Sequence, residues 1–104
     1  MLIELTTDSH IKGSENLKER VDGWVLRSLS RFSTRVHRLE VHLSDENGSR
    51  KTPDDKRCAI EARLEGHQPC AVVEHANTVE AAVKGASHKL ERLLDSTIGR
   101  LEAR

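Results

Sequence analysis

Apolar residues recur at helical spacing in two segments of the chain. In the first, Ser14 is predicted to cap a helix that runs to about Phe32. Its apolar face comprises Leu17, Val21, Trp24, Val25, Leu29 and Phe32. In the second, Asn77 is predicted to cap a longer helix, and Glu80 completes an Asn-x-x-Glu capping box. The apolar stripe of this helix comprises Val79, Val83, Ala86, Leu90, Leu93, Leu94, Thr97 and Leu101.

Four other segments have the patterns of β-strands. Residues 2–6 form a short apolar run, whereas residues 36–44 and 56–64 alternate between apolar and polar side chains, as half-buried strands do. Residues 69–75 predict a fourth strand with Pro69 at its start, where proline is tolerated. Residues 45–55 are polar, and their Asn47-Gly48 pair indicates a turn.

The predicted order of elements is β-α-β-β-β-α, which is an α+β fold. One polar face on each strand predicts a four-stranded sheet that is covered on one side only, with both helices packed on that side. If the first two strands are parallel, the connection through the first helix is expected to be right-handed. The length of 104 residues suits a single domain that spans 1–104.

Composition narrows the classes of function. The 17 basic and 17 acidic residues cancel, whereas tight nucleic-acid binders usually carry a positive excess that displaces counterions from phosphates. The cancellation is uneven, because six basic and two acidic residues lie between Lys18 and Arg38. A local basic face is therefore compatible with a neutral chain. Trp24 and Phe32 are the only aromatic residues, which argues against RNA binding by a sheet or barrel of stacking rings.

The sequence also bears on cellular location. It has no run of about 18 apolar residues, the length that a membrane-spanning helix needs, so no membrane partner is expected. Its N-terminus lacks the basic start and apolar stretch of a signal peptide. We therefore expect a cytoplasmic protein in which Cys58 and Cys70 are reduced thiols.

Several side chains could serve chemistry, but none forms a complete catalytic pattern. His67, Cys70 and His75 suggest a zinc site that would need a fourth ligand, such as Cys58 or His42, and scattered surface histidines are the alternative. A nucleophilic cysteine would need a nearby base and an exposed, electropositive setting. The acidic pairs Asp45-Glu46 and Asp54-Asp55 lack the spacing of a calcium loop and are expected in solvated turns. No phosphate-binding loop or hydrolase elbow is present. We expect no enzyme activity, no cofactor and no small-molecule substrate.

The two predicted helices carry rows of basic residues beside their apolar faces. Arg20, Arg27 and Arg31 lie on one flank of the first helix. Lys84, His88 and Arg92 stand four residues apart on the second, with Lys89 nearby. If the helices pack side by side, these rows border a shared groove that could bind phosphates. The alternative is an ordinary solvated face, which the interleaved Glu91 and Asp95 favour.

Short strings along the whole chain resemble the ribosome hibernation-promoting factor and ribosome-associated inhibitor family, in its short, single-domain form. The segments that carry the resemblance are 17–21, Arg31-Phe32, 36–43, 44–48, 55–58, 81–83 and Lys89-Leu90-Glu91-Arg92. The chain departs from the family pattern at Glu80, where a tyrosine is common. It departs again at residues 95–99, where relatives are richer in lysine and arginine.

The resemblance implies a fold like that of a double-stranded-RNA-binding domain. It also implies a translation inhibitor that sits on the small ribosomal subunit, in the channel for mRNA and tRNA. The RNA contacts on this interpretation would be Arg20, Arg27, Arg31, Lys84, Lys89 and Arg92. The alternative is a protein-interaction or self-associating module of the same fold, such as a homodimer that pairs through the uncovered sheet face or the edge of the first strand. A mixed or acidic surface over both helices would contradict the inhibitor hypothesis.

Overall fold

A mixed four-stranded sheet forms one layer of the molecule. The computed structural model describes residues 1–47 and 53–103. The strands are β1 (Leu2–Thr7), β2 (Val36–Asp45), β3 (Lys56–Leu64) and β4 (Cys70–Ala76), in the spatial order β1-β2-β3-β4. β1 and β2 are parallel, and the other two pairs are antiparallel. Each predicted strand agrees with the observed one to within one residue at either end, and Gly48 of the predicted turn lies outside the described residues.

The register of the sheet places most of its apolar residues on one face, and Leu2 and Val73 are exceptions that are exposed. Val41 lies beside Leu5 of β1 and Ile60 of β3, and Ile60 lies beside Val72 of β4. Since side chains alternate along each strand, the residues between them, such as Glu40, point to the opposite face. The helices cover only the apolar face, so the other face of the sheet is open, as the alternation predicts.

Two helices form the second layer. The first, α1 (Glu15–Leu29), begins at Ser14, whose hydroxyl accepts a hydrogen bond from the amide of Leu17 at 3.1 Å. This confirms the predicted cap. The predicted end near Phe32 includes a tighter 3₁₀ turn over Ser30–Phe32. The second helix, α2 (Val79–Glu102), is the longer of the two, and neither is long and apolar enough to cross a bilayer.

The predicted cap of α2 is wrong by one residue. The Thr78 hydroxyl accepts a hydrogen bond from the amide of Ala81 at 3.1 Å, so Thr78 is the N-cap. The Asn77 side chain instead accepts a hydrogen bond from the amide of Asp54, at 2.7 Å. The side-chain oxygen that would have capped the helix is used instead in this contact with the connection between β2 and β3. With the cap moved to Thr78, Glu80 no longer occupies the capping-box position.

One contiguous core joins the two layers. α1 contributes Val21, Val25 and Leu29, and α2 contributes Val83, Leu90 and Leu94, all of them inaccessible to solvent. They pack with Leu39, Val41 and Ile60 of the sheet. Both helices are therefore held side by side on one face of the sheet, which confirms the predicted α+β architecture and brings their polar flanks together.

Candidate nucleic-acid interface

α1 and α2, with the segments next to them, border two depressions, called here the N-terminal and C-terminal halves of the interhelical groove. Its N-terminal half has a volume of 450 Å³ and is lined by Leu17, Arg20, Trp24, Thr78, Val79, Glu80, Ala81 and Lys84. Its C-terminal half has a volume of 300 Å³ and is lined by Arg31, Phe32, Thr34, Arg35, Asp95, Ile98, Gly99 and Glu102. Of the six predicted RNA contacts, Arg20 and Lys84 line the N-terminal half and Arg31 lines the C-terminal half, whereas the other three line neither half.

The N-terminal half carries an excess of positive charge. The Lys84 ammonium lies 2.6 Å from a carboxylate oxygen of Glu80. This hydrogen bond lowers the pKa of Glu80, and the nearby positive charges of Arg20 and Arg27 lower it further. The Arg20 guanidinium also lies over the ring of Trp24, 5.1 Å from its centroid. Arg20 and Lys84 thus line this half beside one carboxylate, and Arg27 acts on that carboxylate from nearby, so positive charge exceeds negative charge here.

The C-terminal half is different, because its main cation is already bound. Arg31 donates two hydrogen bonds to Asp95, at 2.7 and 2.9 Å, and a third to Glu91 at 3.3 Å. The hydrogen bonds from Arg31 lower the pKa of Asp95, so its carboxylate stays charged. The guanidinium of Arg31 also stacks over Phe32, 4.1 Å from the ring centroid. A bidentate pair of this kind satisfies the donors that a phosphate would otherwise use.

Farther along the C-terminal half, Arg35 approaches Glu102 at 3.7 Å. Two arginines thus face the three carboxylates of Glu91, Asp95 and Glu102. This half therefore does not form the shared basic groove expected from side-by-side packing, because its charges are mixed, whereas the N-terminal half keeps an excess of positive charge. The sequence showed that acidic residues interleave with the basic row of α2. It did not show that Asp95 would meet Arg31, which lies 64 residues earlier in the chain.

Two more of the predicted contacts, Lys89 and Arg92, lie on α2. Lys89 donates a hydrogen bond to the backbone oxygen of Val73 at 3.0 Å and lies 3.4 Å from Glu74, so it is engaged by β4. Arg92 is exposed. Within the described residues, Arg20, Arg27 and Arg92 form no ion pair. The six predicted contacts therefore divide into three unpaired cations and three that already have acceptors, which are Arg31, Lys84 and Lys89.

The candidate zinc ligands do not come together. His67 contacts the backbone oxygen of Gln68, His75 pairs with Glu46, and Cys70 is buried beside Thr97. Among residues 1–47 and 53–103, no group of three or more histidine, cysteine, aspartate or glutamate side chains is arranged to hold a metal ion. Burial raises the pKa of the Cys58 thiol to about 12, so it is protonated at neutral pH.

The acidic pairs near the 45–55 segment are not simply solvated, contrary to expectation. Asp45 ends β2 and Asp55 precedes β3, and both are buried. The Lys56 ammonium lies between them, 2.8 Å from Asp55 and 3.2 Å from Asp45. The hydrogen bonds to Asp55 and Asp45 raise the pKa of Lys56. These carboxylates hold the ends of two strands together by charge pairing.

Comparison with known proteins identifies the fold and the family. The N-terminal domain of Protein Y from Thermus thermophilus is similar, with a TM-score of 0.73 and 19% sequence identity over 93% of this chain and 99% of that chain. A ribosomal subunit interface protein from Coxiella burnetii has a TM-score of 0.71 and 18% identity, over 95% of this chain and 99% of that chain. No curated protein sequence matches. The family model described as sigma 54 modulation protein / S30EA ribosomal protein matches residues 4–102. The chain therefore belongs to that family, which confirms the resemblance seen in its sequence.

Proposed function

We propose that this protein is a cytoplasmic, ribosome-associated translation inhibitor that binds the small ribosomal subunit through the cationic side of its helices. Membership of the S30EA ribosomal protein family supports a ribosomal partner. So does the likeness of the fold to a structure described as a ribosomal subunit interface protein. The observation that carries the proposal is the excess of positive charge at the N-terminal half of the interhelical groove, which Arg20 and Lys84 line and which Arg27 lies near.

The contacts follow from the charges that remain available. Arginine and lysine side chains that contact phosphates fix the position of a protein on RNA without reading sequence. Arg20, Arg27 and Arg92 can do so directly, because they form no ion pair within the described part of the chain. Lys84 must share its ammonium with Glu80, and Arg31 and Lys89 must first give up bonds made within the protein. Inhibition then results from steric occlusion of the mRNA and tRNA channel.

The proposal is tested by co-sedimentation with purified small ribosomal subunits. Arg27→Glu combined with Arg92→Glu removes two unpaired cations and adds two repelling charges, so binding should fall by roughly tenfold or more. The matched control is Lys12→Glu combined with Arg57→Glu, which changes net charge equally. Lys12 is exposed in the loop before α1, and Arg57 lies on the sheet face opposite the helices. Undiminished co-sedimentation of the first variant would show that this surface does not bind the small subunit.

Self-association is a second candidate function, favoured by the free edge of β1. Among residues 1–47 and 53–103 this strand pairs only with β2, and Leu2 at its start is 59% exposed. At the other edge of the sheet, Lys89 contacts the backbone oxygen of Val73, which hinders pairing with another strand. If self-association were the function, sedimentation would show a dimer that resists salt, together with no binding to ribosomal subunits.

A further inference from the structure

The N-terminal half of the interhelical groove combines an apolar wall with cations. Leu17, Val79 and the indole of Trp24 are half-buried and supply the apolar wall. Arg20 and Lys84 are exposed at the groove. A volume of 450 Å³ lies within the range of sites that hold small ligands or single groups of a larger one. This half of the groove can therefore seat a compact group against its apolar wall while leaving the group partly open to solvent.

Trp24 gives this groove a stacking surface. It is the only tryptophan in the chain, and the guanidinium of Arg20 lies over its ring. Indole rings and arginine guanidinium planes are the two kinds of surface on which unstacked nucleobases pack in RNA complexes. A base stacked here would have Leu17 and Val79 on its apolar side.

The charges around the groove select the kind of occupant. Arg20, Arg27 and Lys84 outnumber Glu80, so a neutral or cationic group is disfavoured and a phosphate next to the base is favoured. The bases of a duplex are stacked inside the helix and cannot reach an indole ring. Only a nucleotide that has left the stack can use the apolar wall and the cations together.

We infer that the N-terminal half of the interhelical groove binds one unpaired nucleotide of the target RNA. The base packs against Trp24, and the flanking phosphates contact Arg20 and Lys84. This inference rests on the proposed function, and it specifies that the protein recognises single-stranded or looped RNA at this position.

The single tryptophan allows a direct test. Emission from Trp24 is followed while the protein is titrated with oligouridylate, with a duplex RNA of the same length, and with polyglutamate as a polyanion without bases. We expect saturable quenching by oligouridylate, weakened as salt rises, and none by the other two polymers. Equal quenching by the duplex or by polyglutamate would overturn the inference, because the groove would then respond to charge alone.

Variants separate stacking from charge. Trp24→Leu should weaken oligouridylate binding, measured by anisotropy of labelled RNA, by roughly fivefold or more, since it removes the stacking ring. Trp24→Phe should retain most of the affinity. Arg20→Gln, a change at an exposed side chain that leaves the apolar wall intact, should also weaken binding. Leu26→Ala is the matched control, because Leu26 is an exposed apolar residue of α1 that does not line the groove.

Co-sedimentation distinguishes the inference from the proposed function. If the native protein binds small subunits while Trp24→Leu and Arg20→Gln bind oligouridylate unchanged, the nucleotide site is excluded and the ribosomal role stands. If the native protein fails to bind subunits but oligouridylate still quenches Trp24, the proposed function is excluded and the nucleotide site stands. Circular dichroism establishes that each variant is folded.

Discussion

Arg31 illustrates how neighbouring residues decide whether a charge is available for binding. Its position on the basic flank of α1 predicted a phosphate contact, but Asp95 and Glu91 hold its guanidinium through three hydrogen bonds. The two carboxylates occupy the acceptor positions that phosphate oxygens would take. Any RNA contact by Arg31 must therefore compete with a bidentate pair inside the protein.

Replacing Asp95 should therefore strengthen RNA binding. Asp95→Asn removes the negative charge of the main partner of Arg31, so that the guanidinium is held less tightly at the C-terminal half of the groove. We expect affinity for small subunits to rise severalfold, and the slope of log affinity against log salt to steepen by about one unit, as for one added phosphate contact. Glu65→Gln is the control, since Glu65 is exposed in the connection between β3 and β4 and its loss changes net charge equally. An equal gain from both variants would show that net charge, and not the release of Arg31, is responsible.

At the scale of elements, the start of α2 depends on which of two adjacent residues caps it. Asn77 and Thr78 both belong to residue types that cap helices. The sequence motif favoured Asn77, but its side chain bonds to the backbone of Asp54, which has a positive φ of 58°. The capping role falls to Thr78 because a contact between two loops occupies its neighbour.

The two residues should differ in their effects on α2. Thr78→Ala should lower the free energy of unfolding, measured with urea, by about 1 kcal/mol, and should speed hydrogen exchange of the Ala81 amide. Asn77→Ala should leave the Ala81 amide protected and expose the Asp54 amide instead. Faster exchange at Ala81 in the Asn77 variant alone would reverse the assignment.

The whole molecule has a net charge of zero, but its charged residues are unevenly distributed between the two halves of the interhelical groove. The N-terminal half has three cations around Glu80, whereas the C-terminal half has two arginines against three carboxylates. Binding to RNA should therefore depend on few phosphate contacts. The protein is neutral overall because its 17 basic and 17 acidic residues cancel. Some of these charges also pair on the open sheet face, where Arg63 lies 2.7 Å from Glu40.

The salt dependence of ribosome binding measures the number of those contacts. If only the three unpaired cations contact phosphates, log affinity should fall against log salt with a slope of roughly −2 to −3. Contacts by all six predicted residues would give a slope of roughly −4 to −5. Co-sedimentation with small subunits over a range of salt concentrations provides the slope. A value in the steeper range would show that Arg31 and Lys89 leave their partners within the protein when RNA binds.

The elements, their order and most of the core residues follow from local sequence patterns. Ala82 and Ile98 of α2 are buried although the predicted stripe did not include them. Period-two alternation in β2 and β3 and the helical spacing of Val21, Val25 and Leu29 are local patterns, and burial of apolar surface follows them directly. The basic flanks were likewise visible, because residues four apart lie on one side of a helix. These features depend on neighbours within a few residues.

Which charged side chains lack a partner within the protein, and what shape the groove has, depend on how the elements pack together. Arg31 meets Asp95, Lys89 meets the edge of β4, and Asn77 meets Asp54, each across a long stretch of chain. Such pairs depend on how the helices, the sheet and the loops are positioned relative to one another, and spacing along the chain does not encode those positions. Tertiary packing therefore determines which charges can bind a partner, whereas the local pattern of apolar and polar residues determines the secondary structure.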